Sequence, residues 1–181
     1  MKKLEVKEML LKGIESHNQV HIKRCKIDRN SIHCYPLIMG EKLLLVQYLD
    51  DFQVDGYKII RIKDITDTCS DECERFFEFI FEEEGILNEI GKQSISNLDS
   101  WETVFKELMT LGKNIIVECE DIEGKDFYVG KINEVNKISL LLSYFDAIGE
   151  WEQEPVNIAF KEITSVSFDD RYSTIISKYV K

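Results

Sequence analysis

The sequence predicts a mainly β protein with flanking helices, of the α+β class, built by internal duplication of a five-stranded small barrel. Two observations favour this fold. The order of a helix, five short strands and a closing helix occurs twice along the chain. In addition, residues 44–50 match residues 140–146 at a shift of 96, and residues 60–66 match residues 158–164 at a shift of 98. The two additional residues fall in a hairpin, where insertions are tolerated, so we interpret the second half as a copy of the first.

The composition is typical of a folded, acidic protein. The chain has 181 residues, of which 44% are hydrophobic and only two are proline, so it can bury a core. Its 23 lysines and arginines stand against 34 aspartates and glutamates, which gives a formal net charge of −11. Because nucleic-acid affinity depends on cations that neutralise phosphates, this charge argues against nucleic acid and favours a basic protein partner.

The sequence also predicts a cytoplasmic location. Glutamates interrupt the N-terminal lysines before any apolar stretch begins, so no signal peptide is expected. No run approaches the roughly 18 apolar residues of a membrane span, so we expect no membrane association. An odd number of cysteines without an export signal indicates reduced thiols. The cysteines are Cys25, Cys34, Cys69, Cys73 and Cys119.

The first copy is predicted to span residues 1–90. It begins with an amphipathic helix over Leu4–Glu15, because apolar residues recur there at helical spacing. Five strands are predicted at Val20–Ile27, Ser31–Ile38, Lys42–Leu49, Tyr57–Ile62 and from Ile65 onward. Ser70 is expected to cap a second helix over Asp71–Glu84. The phenylalanines of this helix occupy more than one face, so we expect it to pack between two bodies.

The second copy is predicted to span residues 99–181, after a linker over residues 91–98. Asp99, with Glu102 three residues later, predicts a capping box at the start of its first helix. Its strands are predicted at Asn114–Glu120, Phe127–Ile132, Ile138–Phe145, Val156–Phe160 and Ile163–Phe168, and its final helix after a cap at Asp169 or Asp170.

Two stretches of the second copy carry a resemblance to known proteins. The segment Ile158–Phe168, IAFKEITSVSF, resembles the fourth strand, turn and fifth strand of Sm-like and SH3-like barrels. This resemblance implies a tandem Sm-like/SH3-like fold. The longer stretch Trp151–Tyr179 also resembles the tails of uncharacterised small proteins of Gram-positive bacteria, which bring no activity with them. The shared positions are Trp151, Glu154, Pro155, Ile163, Thr164, Val166, Phe168, Arg171, Tyr172, Lys178 and Tyr179.

No motif in the sequence predicts catalysis, so we expect no catalytic residue and a protein that is not an enzyme. Nucleophilic catalysis needs a serine or cysteine beside a histidine, and all three histidines lie within the first 33 residues. His17, His21 and His33 could join the nearby cysteines in a zinc site, but no Cys-x2-Cys pair exists. We therefore expect no metal and no cofactor, and keep zinc as a third hypothesis.

The candidate partner-binding residues lie in two acidic hairpins. Trp151 follows Gly149 in the second copy and stands among three glutamates, Glu150, Glu152 and Glu154. A tryptophan on an acidic loop could anchor a basic partner, or it could fold back over the mouth of the barrel. Asp50 and Asp51 occupy the corresponding hairpin of the first copy.

These observations predict a non-enzymatic, acidic protein-interaction module, with an immunity-type or regulatory protein as one form of it. The alternative that the Sm-like resemblance implies is an RNA-binding protein, because Sm-like proteins bind RNA with loop residues and stack bases on aromatic rings. That alternative predicts a basic patch made by Lys23, Arg24, Lys26 and Arg29. The hairpins equivalent to the RNA-binding loops are acidic here.

Overall fold

The computed structural model describes residues 3–28, 30–121 and 126–181 of the chain. These residues form two compact units, of which the first ends at Ser94 and the second begins at Ile95. Each unit contains a five-stranded antiparallel sheet and two α-helices, so the protein is mainly β and of the α+β class. No helix in the described part of the chain is both long enough and apolar enough to cross a membrane.

The first unit follows the predicted order of elements. It contains α1 (Lys3–Ser16), β1 (Val20–Lys23), β2 (Ser31–Met39), β3 (Leu43–Asp50), β4 (Gln53–Arg61), a 3-10 turn (Ile62–Asp64), β5 (Asp67–Cys69), α2 (Glu72–Glu83) and a second 3-10 turn (Ile86–Glu89). The strand order is β5-β1-β2-β3-β4. Within the described residues, β4 does not pair with β5, so this sheet is open where a closed barrel was predicted.

The second unit has the same arrangement. It contains α3 (Trp101–Leu111), β6 (Ile115–Cys119), β7 (Asp126–Val135), β8 (Ser139–Phe145), β9 (Val156–Ala159), β10 (Ser165–Phe168) and α4 (Arg171–Ile176). The strand order is β10-β6-β7-β8-β9, so the fifth strand again lies beside the first. This sheet is also open among the residues that the structure describes.

The strand registers coincide between the units. All five residue pairs of β2 with β3 have a counterpart in β7 with β8 at a shift of 96. Each strand pair also carries a bulge at the same place, between Pro36 and Ile38 in the first unit and between Ile132 and Glu134 in the second. The matched sequence blocks therefore occupy the same positions in their sheets.

A threonine fastens the fifth strand of the first unit to the first strand. Thr66 precedes β5, and its N–H and its hydroxyl both donate to the carbonyl oxygen of Lys23, at 2.8 and 3.0 Å. The same hydroxyl oxygen accepts a hydrogen bond from the N–H of Cys25 at 3.2 Å. The Thr66 side chain therefore replaces the strand-to-strand hydrogen bonds at the place where β1 ends. We call this junction between the fifth strand and the first strand the corner.

The second unit repeats this corner. Thr164 precedes β10, and its N–H donates to the carbonyl oxygen of Glu118 at 2.8 Å, with the hydroxyl 2.9 Å from the same oxygen. The N–H of Glu120 donates to the Thr164 hydroxyl at 3.2 Å. The three contacts match those of Thr66 in partners and in length.

Two helix caps differ from the predicted ones by one residue. Asp71, not Ser70, caps α2, and its backbone N–H donates to Glu74, which completes a capping box. Ser100, not Asp99, caps α3. The cap is the residue whose extended backbone lets its side chain reach the free amides of the first turn, and neighbouring polar residues compete for that place.

Buried residues lie on both faces of each sheet, since Cys34 and Tyr35 of β2, and Ile116 and Val117 of β6, are consecutive and all buried. In the first unit, Val6 and Leu10 of α1 pack against buried aliphatic residues of β1 to β4. In the second unit, Phe105 of α3 is fully buried and stacks between Trp101 and Phe160, with ring centroids 5.6 Å away on both sides. The helices are therefore needed to cover the sheets, since an isolated sheet would leave its apolar face in water.

Gly130 is expected to be the least replaceable glycine of the second unit. An added Cβ would lie 1.9 Å from the carbonyl oxygen of Ser143, across the β7–β8 ladder. Gly130→Ala should therefore lower the free energy of unfolding by more than about 3 kcal/mol, measured by chemical denaturation.

Gly112→Ala is the matched control, because its added Cβ meets nothing within 4 Å and only the positive φ of 65° is penalised. That variant should lose about 1–2 kcal/mol. Equal losses in the Gly130 and Gly112 variants would show that the close approach of the strands is not a constraint.

Candidate partner-binding site

The loop that carries Trp151 is held in one conformation by Asp146. The Asp146 carboxylate accepts hydrogen bonds from the N–H groups of Ile148 and Glu150, at 3.0 and 2.9 Å. The backbone N–H of Asp146 also donates to the carbonyl oxygen of Glu150 at 3.0 Å. From the other side, the N–H of Lys181 donates to the carbonyl oxygen of Gly149. The loop is thus an ordered turn that is tied to the C-terminal tail.

Trp151 lies against the sheet but keeps part of its ring in solvent. It forms an isolated β-bridge with Phe145, and the two rings meet edge to face at 5.3 Å and 87°. The next residue, Glu152, donates its N–H to the carbonyl oxygen of Tyr144. Because the bridge fixes the backbone and Phe145 fixes the ring, the 40% of Trp151 that remains exposed presents a rigid aromatic surface.

The three predicted glutamates lie on the same loop as Trp151. Glu150, Glu152 and Glu154 are all exposed. Their charges are therefore available to a partner, and they lie within three residues of the aromatic ring. The Trp151 ring packs on Phe145 and is still accessible, and its role as an anchor for a partner stays a prediction.

Trp151 also forms one wall of a cleft in the second unit. The cleft has a volume of about 570 Å³. Lys113 on its floor pairs with Asp169 at 2.6 Å, and Asn114 donates to the Ser177 hydroxyl at 2.7 Å. Lys131, exposed on β7, adds a positive charge to the rim. The cleft therefore combines a flat aromatic wall with polar groups of both signs, an arrangement that suits a charged side chain of a partner.

Asp50 and Asp51 lie at the tip of a different hairpin, in the first unit. Asp50 pairs with Gln53 at the end of the β3–β4 ladder, so the turn is only two residues long. Asp51 adopts a left-handed conformation with φ 52°, which aspartate tolerates better than most residues. Next to it, Phe52 stacks on Phe77 of α2, with ring centroids 5.0 Å apart. Both aspartates are exposed.

The described residues of the alternative basic patch differ in exposure. Lys26 is exposed and Lys23 is half-buried, but only 3% of Arg24 is accessible. Arg29 lies outside the described residues. Arg24 therefore contributes little to any surface that could contact a phosphate.

The first unit does bring two histidines and a cysteine onto neighbouring strands. His21 of β1 pairs with His33 of β2 on one side and with Cys69 of β5 on the other. The Nδ1 atom of His21 lies 2.8 Å from Glu74 Oε1. Burial and the nearby carboxylates of Asp71 and Glu74 raise the pKa of the Cys69 thiol.

This group lacks the arrangement of a metal site. In the part of the chain that the structure describes, no three His, Cys, Asp or Glu side chains are placed to hold a metal ion. Cys34 is buried on β2, where burial raises its pKa strongly, and Cys25 lies beyond the end of β1. The two are not cross-strand partners, since Cys34 pairs with Val20.

Sequence reasoning missed three features of the site: Asp146 as the loop anchor, Lys131 at the cleft, and Phe52 beside Asp51. The Asp-x-x-Gly pattern from Asp146 to Gly149 is a signal for the first, because aspartate side chains accept hydrogen bonds from the residues that follow them in turns.

Comparison of the chain with protein families, with curated proteins and with solved structures found no match.

The charges around Trp151 should be visible in its fluorescence. Three glutamates flank the ring, whereas Lys131 adds one positive charge and Lys113 is paired with Asp169. A local negative potential concentrates cations, so we expect caesium to quench Trp151 more than iodide does, relative to neutral acrylamide.

Trp151→Phe separates this signal from that of the other tryptophan, the buried Trp101. The difference between the wild-type and variant spectra gives the Trp151 contribution. Stronger quenching by iodide would show that the lysines, and not the glutamates, dominate the potential at this ring.

Proposed function

We propose that this protein is a non-enzymatic, acidic protein-interaction module that binds a basic protein partner through Trp151. The observation that carries the proposal is a half-exposed tryptophan on a loop that is anchored from both sides and carries three exposed glutamates, Glu150, Glu152 and Glu154, within three positions of it in the sequence. A large aromatic side chain that is already ordered loses little entropy on binding, and such residues dominate the energetics of interfaces.

The chemistry around Trp151 suits an arginine of the partner. A guanidinium group stacks favourably on an indole ring and forms hydrogen bonds to carboxylates in the same plane. The flanking glutamates would supply those carboxylates and would also raise the association rate of a basic protein. An inhibitor or regulator of a basic toxin or nuclease, that is an immunity-type protein, is one form that this function takes.

We further propose that the two units are copies of one five-stranded unit related to Sm-like and SH3-like proteins, adapted for protein binding. The identical strand order, the coincident registers of β2–β3 and β7–β8, and the equivalent corners at Thr66 and Thr164 support a common origin. The five free cysteines support a reducing compartment such as the cytoplasm.

The proposal predicts that Trp151→Ala abolishes capture of a basic partner. The tagged chain is used to capture ligands from lysate of the source cells, with protein and RNA recovered separately and the partner then purified. Loss of an aromatic anchor costs about 2 kcal/mol or more, so the dissociation constant should rise at least about 30-fold. Titration calorimetry with the purified partner measures this change.

Ile138→Ala is the matched control, since Ile138 is 76% exposed in the turn between β7 and β8 of the same unit. It should leave binding unchanged. Replacing the three glutamates by glutamine should weaken binding at low salt and matter little at high salt. Recovery of RNA alone, in a salt-sensitive way, would contradict the proposal and favour the Sm-like RNA-binding alternative.

A further inference from the structure

The outer face of α2 carries two phenylalanines that no described part of the chain covers. Phe76 is 61% exposed and Phe79 is 56% exposed. Because successive residues are about 100° apart around a helix, these two rings share one stripe with Glu72 and Glu83. The predicted packing of these phenylalanines between two bodies is therefore wrong, and the stripe faces solvent.

The fold of the first unit does not need this stripe. The inner face of α2 carries Phe81, which is fully buried and lies against Tyr35 with ring centroids 6.5 Å apart. Glu74, also on the inner face, is buried and contacts His21. The inner face thus holds the helix in place. The exposed apolar surface of Phe76 and Phe79 does not stabilise the fold of the first unit.

The neighbouring hairpin carries a further exposed aromatic ring, on a different side of α2 from the stripe. Phe52 is 48% exposed and stacks nearly parallel on Phe77, which follows Phe76 in the helix. Three large aromatic residues are therefore solvent-accessible on two adjacent elements. Aromatic side chains are enriched in the centres of protein interfaces, and contiguous exposed apolar patches mark such sites.

Acidic residues lie close to these aromatic rings. Glu72 and Glu83 close the two ends of the stripe, and Asp51 stands next to Phe52. All three are exposed, and Arg75 is the exposed cation of α2. From this arrangement we infer that Phe76 and Phe79, with Glu72 and Glu83, form a docking face for a basic amphipathic segment of another protein. We call this surface the α2 face.

The charges disfavour a second copy of this chain as the occupant. In a parallel pairing of two α2 stripes, Glu72 would meet Glu72 and Glu83 would meet Glu83. In an antiparallel pairing, Glu72 would meet Glu83. Both arrangements place carboxylates opposite one another, which costs binding energy, whereas lysine or arginine residues flanking an apolar stripe would pair with both ends.

The α2 face does not depend on the proposed role of Trp151. It uses residues of the first unit only, so variants of one site leave the other intact. The two proposals can therefore fail separately. The basic peptide can bind the α2 face even if Trp151→Ala has no effect on partner binding, and Trp151→Ala can weaken partner binding even if the peptide does not bind.

The test uses a synthetic basic helix as the probe. The peptide is about five helical turns long, with leucines at helical spacing and lysines elsewhere, and carries a fluorophore. Fluorescence anisotropy measures its affinity for the full chain. Phe76→Ala combined with Phe79→Ala should raise the dissociation constant at least about 30-fold, because two aromatic anchors are removed.

A matched control exists in the same unit. Leu4 and Leu11 are exposed apolar residues of α1, and Leu4→Ala with Leu11→Ala should leave peptide affinity unchanged. Both double variants should keep the wild-type melting temperature, since all four side chains are exposed. Glu72→Gln with Glu83→Gln leaves the apolar surface in place and should reduce both the affinity and its salt dependence.

Three results would overturn the inference. The first is equal affinity of the wild type and the phenylalanine variant for the basic peptide. The second is equal affinity for a peptide in which every lysine is replaced by glutamate. The third is a wild-type dimer in sedimentation that Phe76→Ala with Phe79→Ala converts to a monomer, because a second copy would then be the occupant.

Discussion

The corner at which the fifth strand meets the first determines how each unit is built. Thr66 and Thr164 satisfy a carbonyl group of the first strand and an N–H group two residues later, where the ladder itself would leave both unpaired. The chain can therefore turn sharply after β4 or β9 and still place a strand beside β1 or β6. Each of these hydrogen bonds contributes about 1 kcal/mol, so the corner adds to the stability of each sheet.

Two kinds of surface follow from that construction. The sheets and the inner faces of the helices bury the aliphatic core, while the anchored Trp151 loop and the outer face of α2 keep aromatic rings accessible. Both regions carry these rings close in sequence to carboxylates: Trp151 near three glutamates, and Phe76 and Phe79 between Glu72 and Glu83. The recurrence of one chemistry on two unrelated elements favours protein binding as the common function.

The order of elements could be predicted because it depends on local chemistry. Turn residues, capping side chains and apolar periodicity act within a few positions, and Thr66 and Thr164 fell in a matched block although their hydrogen bonds were not predicted. The sequences of β1 and β6 could not be aligned residue by residue, because an aliphatic strand is specified by apolar character and not by particular side chains. The exposure of Phe76 and Phe79 was missed because periodicity indicates which residues share a face, but not which face is covered.

The corner can be tested most directly through one buried thiol in each unit, Cys34 in the first and Cys119 in the second. Thr66→Val should speed modification of Cys34 by a thiol reagent about tenfold or more, and Thr164→Val should do the same for Cys119, because each loses hydrogen bonds that stabilise its sheet. Thr110→Val, in an exposed position on α3, serves as the control. Unchanged rates in the Thr66 and Thr164 variants would contradict the claim that this corner holds each unit together.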